Sequence, residues 1–400
     1  MLDLILFTFL GIIAGIITGL LPGIHVNTIT AGLLLITAYL SQFSPLSIAA
    51  FICTMAITNA FTNFIPSVFL GAPDAETALS ILPGHALLNK GLGYHAVRIT
   101  VIGGLGTFFV CILSFIPLAF LLKPSEPYIT AAIPYILILV SIFILVRESD
   151  VRTRVWSLLV FILSGVLGLL VLNHLNMSQG LFPLLSGLFG VSGLLLSAAR
   201  NEKIPEQRFD SEIKPLKPHN IFNYVRATLS SLIVSIVPAI GAAEAATMAL
   251  CFKSSQNEED YMMIVGGIGT AAAMYTLVVF YLIGKARSGA IAAMKEFITP
   301  TFSQLIILVV ICLIAAVVST FITLLLAKYL AKYLWKLDYK WTSYGIVGLL
   351  FLMAFLMSGW VGLVVLLVST AIGLIPPLAG VKRIHAMGCL MIPVLCSYLL

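Results

Sequence analysis

The chain has 400 residues, 60% of them hydrophobic and only 10% charged, with a mean hydropathy of +1.11. A soluble domain carries roughly 25% charged residues, so that class is excluded. The net charge of +6 reads as basic residues gathered in cytoplasmic loops, not as a nucleic-acid surface. Apolar runs of about 20 residues recur from end to end, without the alternation of barrel strands, and predict an all-α, polytopic integral membrane protein of the cell membrane. Cys53, Cys111, Cys251, Cys312, Cys389 and Cys396 lie scattered in these runs with no paired spacing, as small hydrophobes instead of disulfides or metal ligands.

The first span, residues 4–21, has no basic n-region and no cleavage site, and is read as a retained helix. Its glycines at 11, 15 and 19 form a face that lets another helix approach closely. Pro22-Gly23 then interrupts the run, and a second half-length segment starts at His25-Val26-Asn27-Thr28. Pro-Gly between two half-length segments predicts a discontinuous helix, whose second half presents free N–H groups and a positive dipole end to an anion. The next span, 46–66, carries Thr58, Asn59, Thr62 and Asn63, which either bond across helices or face a cavity.

Residues 64–84 read FIPSVFLGAPDAETALSILPG. Asp74 and Glu76, set among Gly71, Pro73 and apolar neighbours, mark a second break, because irregular backbone and ionisable groups are tolerated at membrane depth only inside protein or along a wet cavity. Pro83-Gly84-His85 reads as a polar stop. Spans are expected at 99–122, 128–146 and 155–172, with the short basic loop 147–154 between the last two, and a shorter segment at 180–198 contains GLFPLLSGLFG. Residues 200–226 are a polar linker with Pro205, Pro215 and Pro218. The loops at 147–154 and 200–226 share one side, which their Lys/Arg content assigns to the cytoplasm.

The second half, from 227, passes Pro238 and the run Ala242-Ala243-Glu244-Ala245-Ala246-Thr247, then a span at 261–283 that ends at Gly284-Lys285-Ala286-Arg287-Ser288-Gly289. This layout matches the acidic break, with cations in place of carboxylates. Spans follow at 305–326, 344–357 and 360–375. GLIPPLAG at 373–380 echoes GLFPLLSG at 180–187. Pro22-Gly23 and Pro238, Gly71 and Gly284, and the two GL(F/I)P segments thus recur in the same order. Internal repeats with interrupted helices are the pattern of secondary transporters. The expected organisation is a first membrane repeat over 1–199, a linker over 200–226 and a second repeat of inverted topology over 227–400.

These residues also carry a family resemblance. GIITGLLPGIHVNT, FIPSVFLGAPDAETALSILPGHALLNKGLGYHAV and GLFPLLSGLFGVSGLL resemble the large membrane subunit of the tripartite tricarboxylate transporters, the TctA family. That family has an early helix-breaking Pro-Gly, an acidic segment leading to a basic turn (here Asn89-Lys90-Gly91) and a GLF motif closing its first half. The likeness covers most of the first half and extends to PAIGAAEAAT in the second. The chain departs from the family at His25-Val26-Asn27, at Ala239 and at Glu244. The resemblance implies an extracytoplasmic binding protein and a small membrane subunit as partners. The Pro-Gly break also resembles, more weakly, the motif of bacterial polyprenyl-phosphate translocases, whose substrate is a lipid anion.

The residues therefore point to a carrier, with no nucleotide, zinc or nucleophile-elbow motif of an enzyme and no cofactor. Gly23, His25, Asn27, Thr28, Thr247, Lys285, Arg287 and Ser288 are the candidate substrate-binding set. If membrane-embedded, Arg287 grips a carboxylate or phosphate bidentately with Lys285 as a point charge; otherwise they sit in an aqueous loop. Asp74, Glu76 and Glu244 are candidates for a coupling Na⁺ or proton, or else Asp74 and Glu76 pair with the cations of the second break. His25 is a proton carrier or a hydrogen-bonded core histidine. The expected function is secondary transport of a tricarboxylate-like organic anion by alternating access. The alternative is translocation of a lipid phosphate such as polyprenyl phosphate, and the third reading is an intramembrane enzyme or scaffold.

Overall fold

A chain in lipid must satisfy its backbone hydrogen bonds within each segment, and among the described residues every regular element is helical. The computed structural model describes residues 2–21, 26–71, 81–146, 148, 150–175, 180–199, 205–209, 213, 215–236, 245–246, 249, 258–284, 286, 288–334 and 339–399. The first half contains α1 (Leu2–Leu20), α2 (Val26–Leu35), α3 (Thr37–Leu40), α4 (Pro45–Thr62), α5 (Phe64–Leu70), α6 (Ile81–Asn89), α7 (Gly93–Val146) and α8 (Val151–Leu169). A π-helical turn at Leu170–His174 follows, then α9 (Leu181–Leu185), a second π-helical turn at Ser186–Val191 and α10 (Ser192–Ala199). Next come α11 (Pro218–Ile236), α12 (Glu258–Ile283), α13 (Gly289–Lys295), α14 (Phe302–Leu334), α15 (Tyr339–Ala379), a 3-10 turn at Arg383–Met387 and α16 (Gly388–Leu399). Among the described residues, seven helices are long and apolar enough to cross a membrane, and the protein is a multi-pass membrane protein. Large apolar side chains such as Leu113, Leu325 and Leu356 face outward, as a lipid-facing surface requires.

Two spans form the centre. Pro45–Leu70 and Glu258–Ile283 are each 89% buried, against 56% or less for the other candidate spans. α4 is held between α1 and α14. Gly11, Gly15 and Gly19 of α1 lie on Thr54, Thr58 and Thr62 of α4, so the predicted glycine face finds a threonine ladder of the same spacing. A Cβ on Gly15 would lie 2.5 Å from Thr58 Cβ and 2.7 Å from the Met55 carbonyl. The polar side chains of α4 bond across helices: Thr62 Oγ1 donates to the Gly15 carbonyl at 3.2 Å, Asn59 Nδ2 to Thr18 Oγ1 at 3.1 Å, and Ser319 of α14 to Thr58 Oγ1 at 2.9 Å.

The second central span is wrapped in the same manner. α12 packs on α11 and on the first part of α7. A Cβ on Gly266 would lie 2.3 Å from the Thr100 carbonyl, and one on Gly103 2.1 Å from the Met263 carbonyl. Thr270 Oγ1 donates across this contact to the Gly104 carbonyl at 3.0 Å. Further along, the two GL(F/I)P segments press together. A Cβ on Gly373 would lie 2.2 Å from the Leu188 carbonyl, and Ser369 Oγ donates to the Pro183 carbonyl at 3.0 Å.

Four expectations change. Residues 218–226, expected as the end of the linker, are the first turns of α11. The 83–85 sequence is not a stop; it lies inside α6, where Pro83 falls in the first turn and gives up an N–H that has no helical partner anyway. The helical backbone of α7 runs unbroken from Gly93 to Val146, through the 123–127 region where a boundary was expected, since proline can kink a helix without ending it. The linker is also docked at its front end. Gln207 is buried, accepting from the Gly93 N–H at 2.7 Å and donating to the Leu88 carbonyl at 3.2 Å, while the Tyr94 and Phe209 rings stack at 5.4 Å. The expected separation of 344–357 from 360–375 matches the kink in α15, whose backbone leaves helical geometry at Gly359.

Replacing Gly15 by Leu drives a side chain into the α4 backbone and is expected to cost at least about 1–3 kcal/mol of stability. Gly348→Ala, where nothing lies within 4 Å of the added Cβ, is expected to be neutral. Thermal unfolding of the purified protein in detergent checks both; equal midpoints for the two variants would remove the α1–α4 contact from the account.

Candidate functional site

The site is read from the two breaks outward. α5 ends at Gly71, which adopts φ 62° and donates its N–H to the Pro66 carbonyl. α12 ends at Gly284, at φ 69°, with its N–H on the Phe280 carbonyl at 2.8 Å. Both breaks therefore begin with a left-handed helix cap, which glycine adopts without a Cβ penalty. After the second break, Ser288 caps α13 by accepting from the Ile291 N–H at 3.2 Å. α13 lies across α2, and the contact is close: a Cβ on Gly289 would lie 2.6 Å from Asn27 Oδ1. The first turns of the helices that follow the Pro22-Gly23 and Gly284 breaks thus meet, bringing Asn27 to Ser288-Gly289.

Of the remaining sequence candidates, Thr28 belongs to α2 by its backbone. Gly23, His25, Asp74, Glu76, Glu244, Thr247, Lys285 and Arg287 lie outside the described residues. Asn63 stands at the junction of α4 and α5, 3% exposed, and both its amide nitrogen and its amide oxygen lack a hydrogen-bond partner. Its backbone nitrogen is 3.0 Å from the Cβ position of Gly19, so it sits by the end of α1, where the Pro-Gly break begins. A buried amide with nothing bound costs about 1–3 kcal/mol. Among the described residues no group of His, Cys, Asp and Glu side chains is arranged to hold a metal ion.

Two buried ionic groups escaped the sequence reading. His385, fully buried, bonds Glu148 at 2.9 Å through Nε2, and Lys382 approaches the same oxygen at 3.7 Å. This ties the basic loop before α8 to the 3-10 turn before α16. The partners are 237 residues apart, a spacing no local pattern reveals. The second is Arg383, 6% exposed. Its Nη1 donates to the Phe189 carbonyl at 3.0 Å and to Ser192 Oγ at 3.4 Å, and its Nε has no partner. In sequence it reads as an ordinary charge flanking the last span. The only pointer was its place three residues after Gly380, the end of a GL(F/I)P segment. His85 rests against the first break: a Cβ on Gly71 would meet its Cε1 at 2.9 Å and its Nε2 at 3.0 Å. Burial of the ring, then the positive charge of Arg383, pushes the His85 pKa down to about 4, so the imidazole is neutral near pH 7.

A protein-family model described as the tripartite tricarboxylate transporter TctA family matches residues 5–388. The chain is 33% identical over 306 residues to an uncharacterized protein of Methanocaldococcus jannaschii, MJ1079, covering 73% of this chain and 72% of that one. No solved structure matches the chain.

Glu148→Leu leaves the His385 ring in the interior without its acceptor and is expected to cost about 1–3 kcal/mol. Glu148→Gln keeps an oxygen for a neutral imidazole and should cost less. Thermal midpoints of the two variants test this; a Leu variant as stable as the parent would mean the contact holds nothing together.

Proposed function

Because the chain belongs to the tripartite tricarboxylate transporter TctA family, we propose that it is the membrane subunit through which a tricarboxylate-like organic anion crosses the cell membrane. Family membership makes it a component of a secondary transporter. The observation that carries the finer reading is the meeting of α2 and α13, the two helices that restart after glycine- or proline-marked breaks, with Asn27 against Ser288-Gly289. Helix N-termini carry backbone N–H donors of the kind such an anion needs, and in α13 the Ile291 N–H among them is already taken by Ser288. Lys285 and Arg287 precede α13 directly in sequence and supply the charge, while Asn63 and Thr28 add polar lining.

The internal duplication enters this reading as its frame. The proposed halves are 1–199 and 227–400, joined by 200–226. In support, α1 on α4 corresponds to α11 on α12, α4 on α14 corresponds to α12 on α7, and the two GL(F/I)P segments pack against each other. Two halves related in this way, with inverted topology, would rock about the site between them. Asp74, Glu76 and Glu244 take the coupling cation, Na⁺ or H⁺, and His25 and Thr247 complete the lining. The tripartite family implies a substrate-binding protein and a small membrane subunit as partners, and these deliver the anion from the extracytoplasmic side.

The test is citrate stabilisation and uptake, with Arg287→Ala as the variant. Citrate bound to the native state raises its thermal midpoint. Loss of a charge-assisted hydrogen-bond pair corresponds to about 1.5–3 kcal/mol, or roughly ten- to a hundredfold in affinity. Proteoliposome uptake should fall in the same variant. Stabilisation by a short-chain polyprenyl phosphate alone would move the function to lipid translocation. Full retention of citrate binding and uptake by Arg287→Ala would remove the second break from the site.

A further inference from the structure

We propose that Arg383 is an oxyanion-binding residue, holding a carboxylate or phosphate group of the transported molecule between the π-helical turn Ser186–Val191 and the His85 side of the Gly71 break. The inference rests on the transporter reading only in taking that oxyanion as cargo.

The charge of Arg383 is the starting point. A guanidinium at 6% exposure has lost most of its water, and a buried charge is tolerated only when something polar replaces the hydration. Its Nη1 is used: it donates to the Phe189 carbonyl and more loosely to Ser192 Oγ. These two bonds anchor one end of the guanidinium to the π-helical turn and to the start of α10. Gly193 makes room, since a Cβ there would lie 3.2 Å from Nη1. The opposite edge is different. Nε lacks a partner, and no carboxylate of the described residues forms an ion pair with the side chain. The neighbouring carboxylate, Glu148, is engaged by His385 and Lys382 instead. The Nε–Nη2 edge of a guanidinium carries two parallel N–H groups that match the two oxygens of a carboxylate or phosphate, and here the Nε N–H of that edge has no partner.

The surroundings favour an anionic guest. Lys382 precedes Arg383 directly in sequence, and Ser192 is a neutral donor-acceptor. The cluster draws on both halves: His85, Phe189 and Ser192 from the first and Arg383 from the second. An oxyanion bound here contacts both, so its arrival and departure bear on how the halves sit together. Gly71, whose Cβ position abuts the His85 ring, opens the segment that carries Asp74 and Glu76.

The experiment uses the purified full chain, with thermal stabilisation by citrate, inorganic phosphate and a short-chain polyprenyl phosphate, and glycerol as the uncharged control. The parent protein should be stabilised by at least one oxyanion and not by glycerol. Arg383→Gln should weaken that oxyanion at least about tenfold. Arg383→Lys keeps a charge and a donor for the Phe189 carbonyl but lacks the fork, so it should also lose about tenfold; it decides the matter if the Gln variant does not fold. Parental affinity in either folded variant, or no stabilisation of the parent by any of the three oxyanions, overturns the proposal. Citrate binding lost in Arg287→Ala but kept in Arg383→Gln would sink this inference and leave the break site standing. Loss in Arg383→Gln with retention in Arg287→Ala would do the reverse. A response to polyprenyl phosphate alone, abolished in Arg383→Gln, would keep Arg383 as the oxyanion ligand and assign the headgroup to a lipid.

Discussion

The contact of α1 with α4 is the constraint on which the central packing depends. In lipid, apolar side chains gain little by leaving one hydrocarbon environment for another, so helices associate through close van der Waals fit and interhelical hydrogen bonds. Gly11, Gly15 and Gly19 remove the side chains that would hold the helices apart, and Thr54, Thr58 and Thr62 fill the space with methyl and hydroxyl groups. The resulting approach is short enough for Thr62 to reach the Gly15 carbonyl. With α1 on one side and α14 on the other, α4 is fixed, and through it the position of Asn63 at the edge of the first break. The contact of α12 with α7 repeats the physics with the roles exchanged: glycines on both partners and a threonine, Thr270, that reaches across.

Much of this was legible in the sequence because it rests on local rules. A four-residue glycine spacing identifies a packing face without knowledge of the partner. Gly71 and Gly284 were singled out as the starts of breaks, and the backbone at both is left-handed, where a β-carbon would be strained. The change of direction near 357–360 was visible and occurs at Gly359. Asn27 and Ser288 were named for chemical reasons, and the packing of α2 on α13 brings them together. What escaped depends on partners far away in the chain. His85 looked like part of a stop because Pro-Gly usually ends a helix, yet at a first turn proline costs nothing. Glu148 and His385 looked like loop charges, and only folding pairs them. Arg383 drew no notice in the sequence because burial of a guanidinium has no sequence signature.

The charges sort into two populations. At the start of α12, Glu258 meets Lys90 at 2.6 Å, both well exposed, a pair of small energetic weight that complements the helix dipole. Asp260 is buried there and accepts from Asn223 Nδ2 at 2.9 Å. The interior charges before α16 are of another kind. Glu148 is bonded by the His385 ring and has Lys382 at 3.7 Å, a closed arrangement that fastens two loops. Arg383, one residue from Lys382, donates from Nη1 while its Nε has no partner. Neighbouring cations in the same turn therefore divide the work, one serving the fold and the other left with donors to offer.

The docking of Gln207 sets a mechanical limit. Phe209 is held against Tyr94, and beyond it the chain is caught again at Pro215, whose carbonyl accepts from Tyr224 of α11 at 3.0 Å. Six peptide steps, from 209 to 215, separate these two anchors. At about 3.3–3.6 Å per residue, such a tether spans roughly 20 Å at full stretch. Any displacement of α11 relative to the α6–α7 corner larger than that leash must first pull Gln207 from its carbonyl and amide partners. The docked polar segment thus limits how far α11 moves from the α6–α7 corner while both of its anchors hold.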